Sequence, residues 1–137
     1  MHPMIRRQQA VEACRVRFEG KAYEPGSRDC AKLAAHAMHK QGRKVGLLKS
    51  VRYSSERGAL KALRSMGFET LMDAVDALGL ERIPPASAWP GDLVAVPGEG
   101  AFGCALMVRA DNGRVFGFAE GVAGFWQPLE YVCAWRV

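Results

Sequence analysis

The sequence predicts an α+β domain in which N-terminal helices pack on a C-terminal antiparallel β-sheet, and two observations carry that prediction. Up to about residue 80 the apolar residues recur at the 3.6-residue spacing of amphipathic helices; from Pro84-Pro85 onward, short β-branched and aromatic runs alternate with Gly, Pro and Asn turn signals. Helices first and strands afterwards is the order of an α+β fold. At 137 residues the chain reads as one domain, 1–80 mainly helical and 90–137 mainly β, long enough to bury a core without disulfide or metal staples.

The first helix is expected over 4–18, with Ile5, Ala10, Val11, Cys14 and Phe18 near one face between arginines. Gly20 and Pro25-Gly26 break it. A second helix, capped by Asp29 or by Ser27 before it, runs through Leu33, Ala34, Ala37 and Met38 and ends at Gly42. A third begins after Ser54-Ser55, carries Ala59, Leu60, Leu63 and Met66, and stops at Gly67; a fourth spans 69–78 and stops at Gly79. Strands are expected over 92–96, 102–109, 114–118 and 131–137, with Asn112-Gly113 the strongest hairpin signal. The glycine-rich stretch 117–126, "GFAEGVAGFW", reads as a loop able to touch a partner. Trp89, Trp126 and Trp135 are assigned to the core or an interface.

A chain that is 49% apolar and 24% charged is globular rather than disordered. No apolar run approaches the roughly 18 residues of a membrane span, and the start, from Met1 to Arg7, lacks a signal peptide's apolar stretch, so folding in a cytoplasm is expected. The four cysteines, at 14, 30, 104 and 133, are too widely spaced for a zinc pattern and read as free thiols, mostly buried. No metal or cofactor is called for.

Charge is uneven along the chain. Residues 1–39 carry about +3, 40–64 about +7 with Glu56 as the sole acid, and 65–137 about −5. Lys40, Arg43, Lys44, Lys49, Arg52, Arg57, Lys61 and Arg64 make the basic block; lacking interleaved aromatics, it reads as a solvated face, with nucleic-acid binding the lesser alternative.

The chemistry centres on "SRDC". Cys30, at the head of a helix and after Arg28, stands where the helix dipole, free backbone N–H groups and a nearby cation favour thiolate, the setting of a nucleophile. A buried packing role for a cysteine at a helix start is the competing reading.

"SRDC" opening a helix, followed by "WPGDLVAV" and "FGCALMV", resembles the NlpC-type peptidases, compact papain-like enzymes that cut cell-wall peptides. In that family an Asp-Cys pair heads the core helix, a Pro-Gly-Asp segment starts the sheet, and a His-Val-Gly-Ile strand supplies the base. "YSSERGALKALRSMG", "LMDAVDALGLERIPP", "PGDLVAV" and the closing "AWRV" are similar over most of the chain to a family of small proteins from phage and prophage tail modules, itself like a diverged branch of that superfamily.

Carried over, the resemblance makes Cys30 the nucleophile position, Asp29 its neighbour, and Pro90, Gly91 and Asp92 the strand-opening turn. Aligning Gly103 with the glycine of His-Val-Gly puts Ala101 where the histidine should be, on a strand facing Cys30. Alanine can neither take the thiol proton nor hand it to a leaving amine. His36 and His39 lie about 9 and 13 Å further along the helix and point away from the face of Cys30, and His2 sits at the terminus. Glu120 and Asp111 lie near the sheet with no positive reason to choose either as a base.

The resemblance therefore implies a degenerate NlpC-type domain serving as a structural or assembly component of a phage or phage-derived tail tip or baseplate. Its partners would be other tail proteins such as hub or distal tail proteins, and its location the host cytoplasm and then the virion tail. The alternative is an active cysteine peptidase or amidase, with Cys30 as nucleophile on a cell-wall peptide.

Overall fold

A computed structural model describes residues 2–44, 46–48, 51–98 and 100–137. Lys49 of the basic block and Met1 of the expected start lie outside the described residues. Among the described residues, four α-helices precede a six-stranded, wholly antiparallel sheet: α1 Pro3–Phe18, α2 Cys30–Lys40, α3 Glu56–Ser65, α4 Leu71–Asp76, then β1 Glu81–Ile83, β2 Leu93–Val96, β3 Ala105–Arg109, β4 Val115–Ala119, β5 Val122–Trp126 and β6 Cys133–Arg136. The strand order is β1-β6-β2-β3-β4-β5. The architecture is α+β with N-terminal helices, as expected.

Each helix starts on a residue whose side chain satisfies an otherwise orphaned backbone N–H. His2 Nδ1 accepts from Met4 N for α1, Asp29 from Lys32 N for α2, Ser55 from Gly58 N for α3, and Thr70 from Asp73 N for α4, where Asp73 returns the bond in a capping box. Helix α1 buries Ala10, Val11, Cys14 and Phe18 as expected, but Ile5, one turn earlier, is 49% exposed. Helix α4 is shorter than the predicted 69–78, because Leu78 N and Gly79 N bond to Val75 O and Asp76 O, the tighter bonds of a C-terminal turn.

The C-terminal half departs from expectation in three places. First, 117–126 is not a loop: β4 and β5 form a hairpin turning at Glu120 and Gly121, both at positive φ (53° and 82°), with Phe116 opposite Phe125 and Phe118 opposite Ala123. Its glycines mask a strand pair. Gly117 lacks a side chain because a Cβ there would come within 2.6 Å of Met107 Cγ. Second, β3 begins at Ala105 rather than at 102, since residues 100–104 turn, with Gly103 at φ 76°. Third, β1 and a 3-10 turn over Pro85–Ser87 were not foreseen, and β6 starts at Cys133 while Tyr131 and Val132 stay exposed. The Asn112-Gly113 turn joins β3 to β4 as predicted, both residues at positive φ.

Helix α2 packs on β3 and β4, and α1 lies against α2 and the β4–β5 end. Between these layers sits the main core, including Phe18, Leu33, Met38, Leu63, Leu71, Leu93, Leu106, Phe116 and Trp135. A smaller cluster, Val94, Val96, Met107, Val115 and Ala134 with half-buried Trp126 against it, occupies the other face of the sheet. The free side of β5 is partly covered by the α1–α2 connection, where Ala22 bridges Val122 and Gly20 N donates to Ala123 O at 3.0 Å.

Trp135 is fully buried, with its indole N–H donated to Asp76 Oδ1 at 2.8 Å. Trp89 is 47% exposed, with the Arg136 guanidinium 3.5 Å and that of Arg7 5.3 Å from its ring centre. Among the described residues, no helix is long and apolar enough to cross a membrane. The described basic residues of 40–64 are all exposed.

Candidate functional site

Asp29 anchors the site. Its carboxylate is fully buried yet accepts from three donors: Lys32 N to Oδ1 at 2.9 Å, and Gly26 N and the Tyr53 hydroxyl to Oδ2 at 2.8 and 2.6 Å. Three donors offset what a buried charge would otherwise lose in hydration. They also bind the 24–28 turn, the start of α2 and the residues before α3 into one block. The approach of that turn demands glycine: at residue 26 a Cβ would fall 1.9 Å from the Tyr53 carbonyl oxygen, and φ is +89°.

Cys30 follows as the first residue of α2 and is 5% exposed. Burial pushes its thiol well above the ordinary cysteine value; the charge of Asp29 and neighbouring Cys104 add to the rise, and hydrogen bonding from the Leu106 backbone opposes it only in part. Burial thus works against the thiolate that the helix head and Arg28 are expected to favour. Arg28, which was to supply the cation, turns outward to Glu24 at 3.2 Å and to the Ala22 carbonyl at 2.9 Å. Desolvation therefore favours the neutral thiol of Cys30.

Cys30 forms part of the floor of a cavity of about 210 Å³, bounded also by Tyr23, Glu56, Ala101, Cys104, Phe118 and Glu120. Ala101 and Cys30 thus border one cavity. Ala101, however, sits on the turn before β3 and not on a strand, with its N–H donated to Glu56 Oε2 at 2.9 Å. No histidine borders this space. His36 faces Phe18 edge-on at 6.0 Å and takes a bond from Arg17 at 2.9 Å, with burial and then the Arg17 charge lowering its pKa. His39 is exposed, and His2 caps α1.

Of the two acids left open by the sequence, Glu120 borders the Cys30 cavity, whereas Asp111 pairs with Arg114 at 3.1 Å beside a separate one. Tyr23 and Glu56 were missed altogether. The sole signal for Glu56 was that it is the one acid in a basic block; Tyr23 lies in a connection with no motif. Burial raises the Tyr23 hydroxyl far above its usual range, and Cys30 and a hydrogen bond to Glu56 add to this.

Asp92 of "PGD" has no place at this site. Fully buried, it accepts from Arg7 at 2.7 Å, Trp89 N at 2.8 Å and Val137 N at 2.9 Å. Arg136 Nε lies 3.0 Å from it in ion-pair contact, without the angle of a hydrogen bond. Asp92 therefore ties α1, the entry to β2 and the end of β6 together. Cys104 is buried beside the cavity with its pKa pushed up to about 12, chiefly by desolvation, and Cys14 and Cys133 are buried elsewhere.

The family described as a domain of unknown function (DUF6950) matches residues 4–137. The chain belongs to the DUF6950 family. No curated protein sequence matches it. The DUF6950 match spans every element from α1 to β6, including Asp29, Cys30 and the whole cavity rim. Among the described residues of this DUF6950 chain, no group of three or more His, Cys, Asp or Glu side chains could hold a metal ion. Among the described residues, the cavity brings together the Cys30 thiol, the aromatic rings of Tyr23, Phe102 and Phe118, and the carboxylates of Glu56 and Glu120.

Proposed function

We propose that this chain is a structural or assembly component of a phage or phage-derived tail, at the tail tip or baseplate, built on an NlpC-type papain-like fold whose catalytic apparatus has lapsed. The observation that carries the lapse is the surroundings of Cys30: a desolvated thiol in a cavity without an imidazole. A cysteine peptidase needs a base within about 3 Å of sulfur, and the described residues around Cys30 offer no imidazole for that part, while the Glu56 carboxylate is engaged with the Ala101 N–H.

Support for the NlpC-type frame comes from the order of parts. "RDC" heads a helix laid across an antiparallel sheet, and "PGD" opens the strand next to the one that follows Ala101. Support for the tail assignment is the sequence resemblance to tail-module proteins, with hub or distal tail proteins as its partners. The location that follows is the host cytoplasm during assembly and the virion tail afterwards.

The deciding experiment incubates the purified chain and its Cys30→Ala variant with peptidoglycan and analyses the released peptides by mass spectrometry. The expected result is no cleavage by either, with the chain present in tails purified from cells expressing the neighbouring tail genes. Cleavage lost in Cys30→Ala would overturn the structural reading in favour of a cell-wall peptidase.

A further inference from the structure

We propose that the cleft over Cys30 is a docking site for a basic segment of a partner protein that inserts one apolar side chain between Glu56 and Glu120. The inference deepens the reading of this chain as an assembly component whose cleft has lost its peptidase chemistry, and it rests on that reading. Its floor carries no charge: Phe102, Phe118 and Cys104 are buried, and Cys30 is held as a neutral thiol. Such a floor takes an uncharged side chain of the size of leucine or methionine, and about 210 Å³ accommodates one.

The rim is different. Glu56, first residue of α3, and Glu120, in the β4–β5 turn, are both exposed at the mouth, and neither has a salt-bridge partner among the described residues. Among the described residues, no lysine, arginine or histidine borders the cavity, although the chain carries a net charge of +5. An apolar anchor flanked by lysines or arginines would match floor and rim together. An acidic segment would meet two carboxylates and no cation.

The test titrates the isotope-labelled full chain with three capped peptides, Lys-Lys-Leu-Lys-Lys, Glu-Glu-Leu-Glu-Glu and Lys-Lys-Gly-Lys-Lys, following backbone amide signals by NMR. Expected are shifts at Tyr23, Cys30, Ala101 and Gly121 with the first peptide, at an affinity about tenfold or more above either control. Glu120→Gln, on an exposed turn, and Glu56→Gln, which keeps an oxygen for the Ala101 N–H, should each weaken it several-fold without changing the melting temperature. Equal affinity for all three peptides, shifts confined to another face, or no effect of either variant would overturn the proposal. So would concentration-dependent self-association abolished by Glu120→Gln, which would make a second copy the occupant. Mass spectra of the same samples separate the two readings: a bound but cleaved peptide keeps the docking site and removes the inert-cleft reading, whereas an intact, unbound peptide removes the docking site alone.

Discussion

The hydroxyl of Tyr53 donates to Asp29 Oδ2 at 2.6 Å, joining the residues before α3 to the cap of α2 across 24 positions of sequence. The same oxygen takes the Gly26 N–H, so one fully buried atom holds two segments in place. Removing the hydroxyl in Tyr53→Phe leaves a buried carboxylate short of a donor and should lower the unfolding free energy by about 1–3 kcal/mol. Asp29→Ala should cost more, because the helix cap goes too. Urea denaturation with unchanged m-values measures both; a loss below about 0.5 kcal/mol for Tyr53→Phe would mean the bond contributes nothing net.

Alkali should expose the same network. Burial, and then the hydrogen bond to Asp29, hold the Tyr53 hydroxyl protonated far above its ordinary 10.0, and burial raises the Cys30 thiol from 9.0 in the same sense. A folded-state pKa raised above the unfolded one adds stability that is whole below the unfolded value and is lost as pH rises toward the folded one. Stability should therefore decline from about pH 9 upward, and Tyr53→Phe combined with Cys30→Ala should flatten the decline. Unfolding free energies measured across that range decide it, and a level profile in the parent chain would contradict the assignment.

Thiol labelling tests the site directly. With Cys30 desolvated and its cation turned away, iodoacetamide near neutral pH should modify Cys30 at least about tenfold more slowly than it does in denaturant, with no cysteine standing out as fast. Mass mapping of the modified residues gives the rates. Rapid, selective labelling of Cys30 would restore the nucleophile.

The β4–β5 hairpin makes a separate prediction. Gly117 faces Met107 so closely that Gly117→Ala should destabilise by about 1–3 kcal/mol through overpacking. Because the obstacle is a flexible side chain, Met107→Ala in the same chain should recover part of that loss. Additive effects in the double-mutant cycle would show that the two positions do not share a contact.

Much of the fold was legible because its signals are local. Caps at Asp29 and Ser55 and the terminating glycines 42, 67 and 79 mark helix ends through the chain's own dihedrals and nearest donors. The hairpin over 115–126 was hidden for a long-range reason: Gly117 reads as a breaker until Met107, on the neighbouring strand, is seen to occupy the room for its side chain. Asp92 reads from the sequence only as part of the strand-opening turn before β2; that it is also a structural tie depends on Arg7 and Val137, which lie 85 and 45 residues away.

The same division runs through the site. By itself the sequence determined that Cys30 heads a helix behind an Asp cap and that no histidine shares its face of that helix. Only the tertiary structure decided the state of the sulfur, because desolvation depends on β3, Phe102 and Phe118 closing around it, and these come from more than 70 residues away. It also brought Glu56 and Glu120 to one rim, a pairing that no spacing encodes since the two acids meet only when α3 and the β4–β5 turn pack about the same cavity.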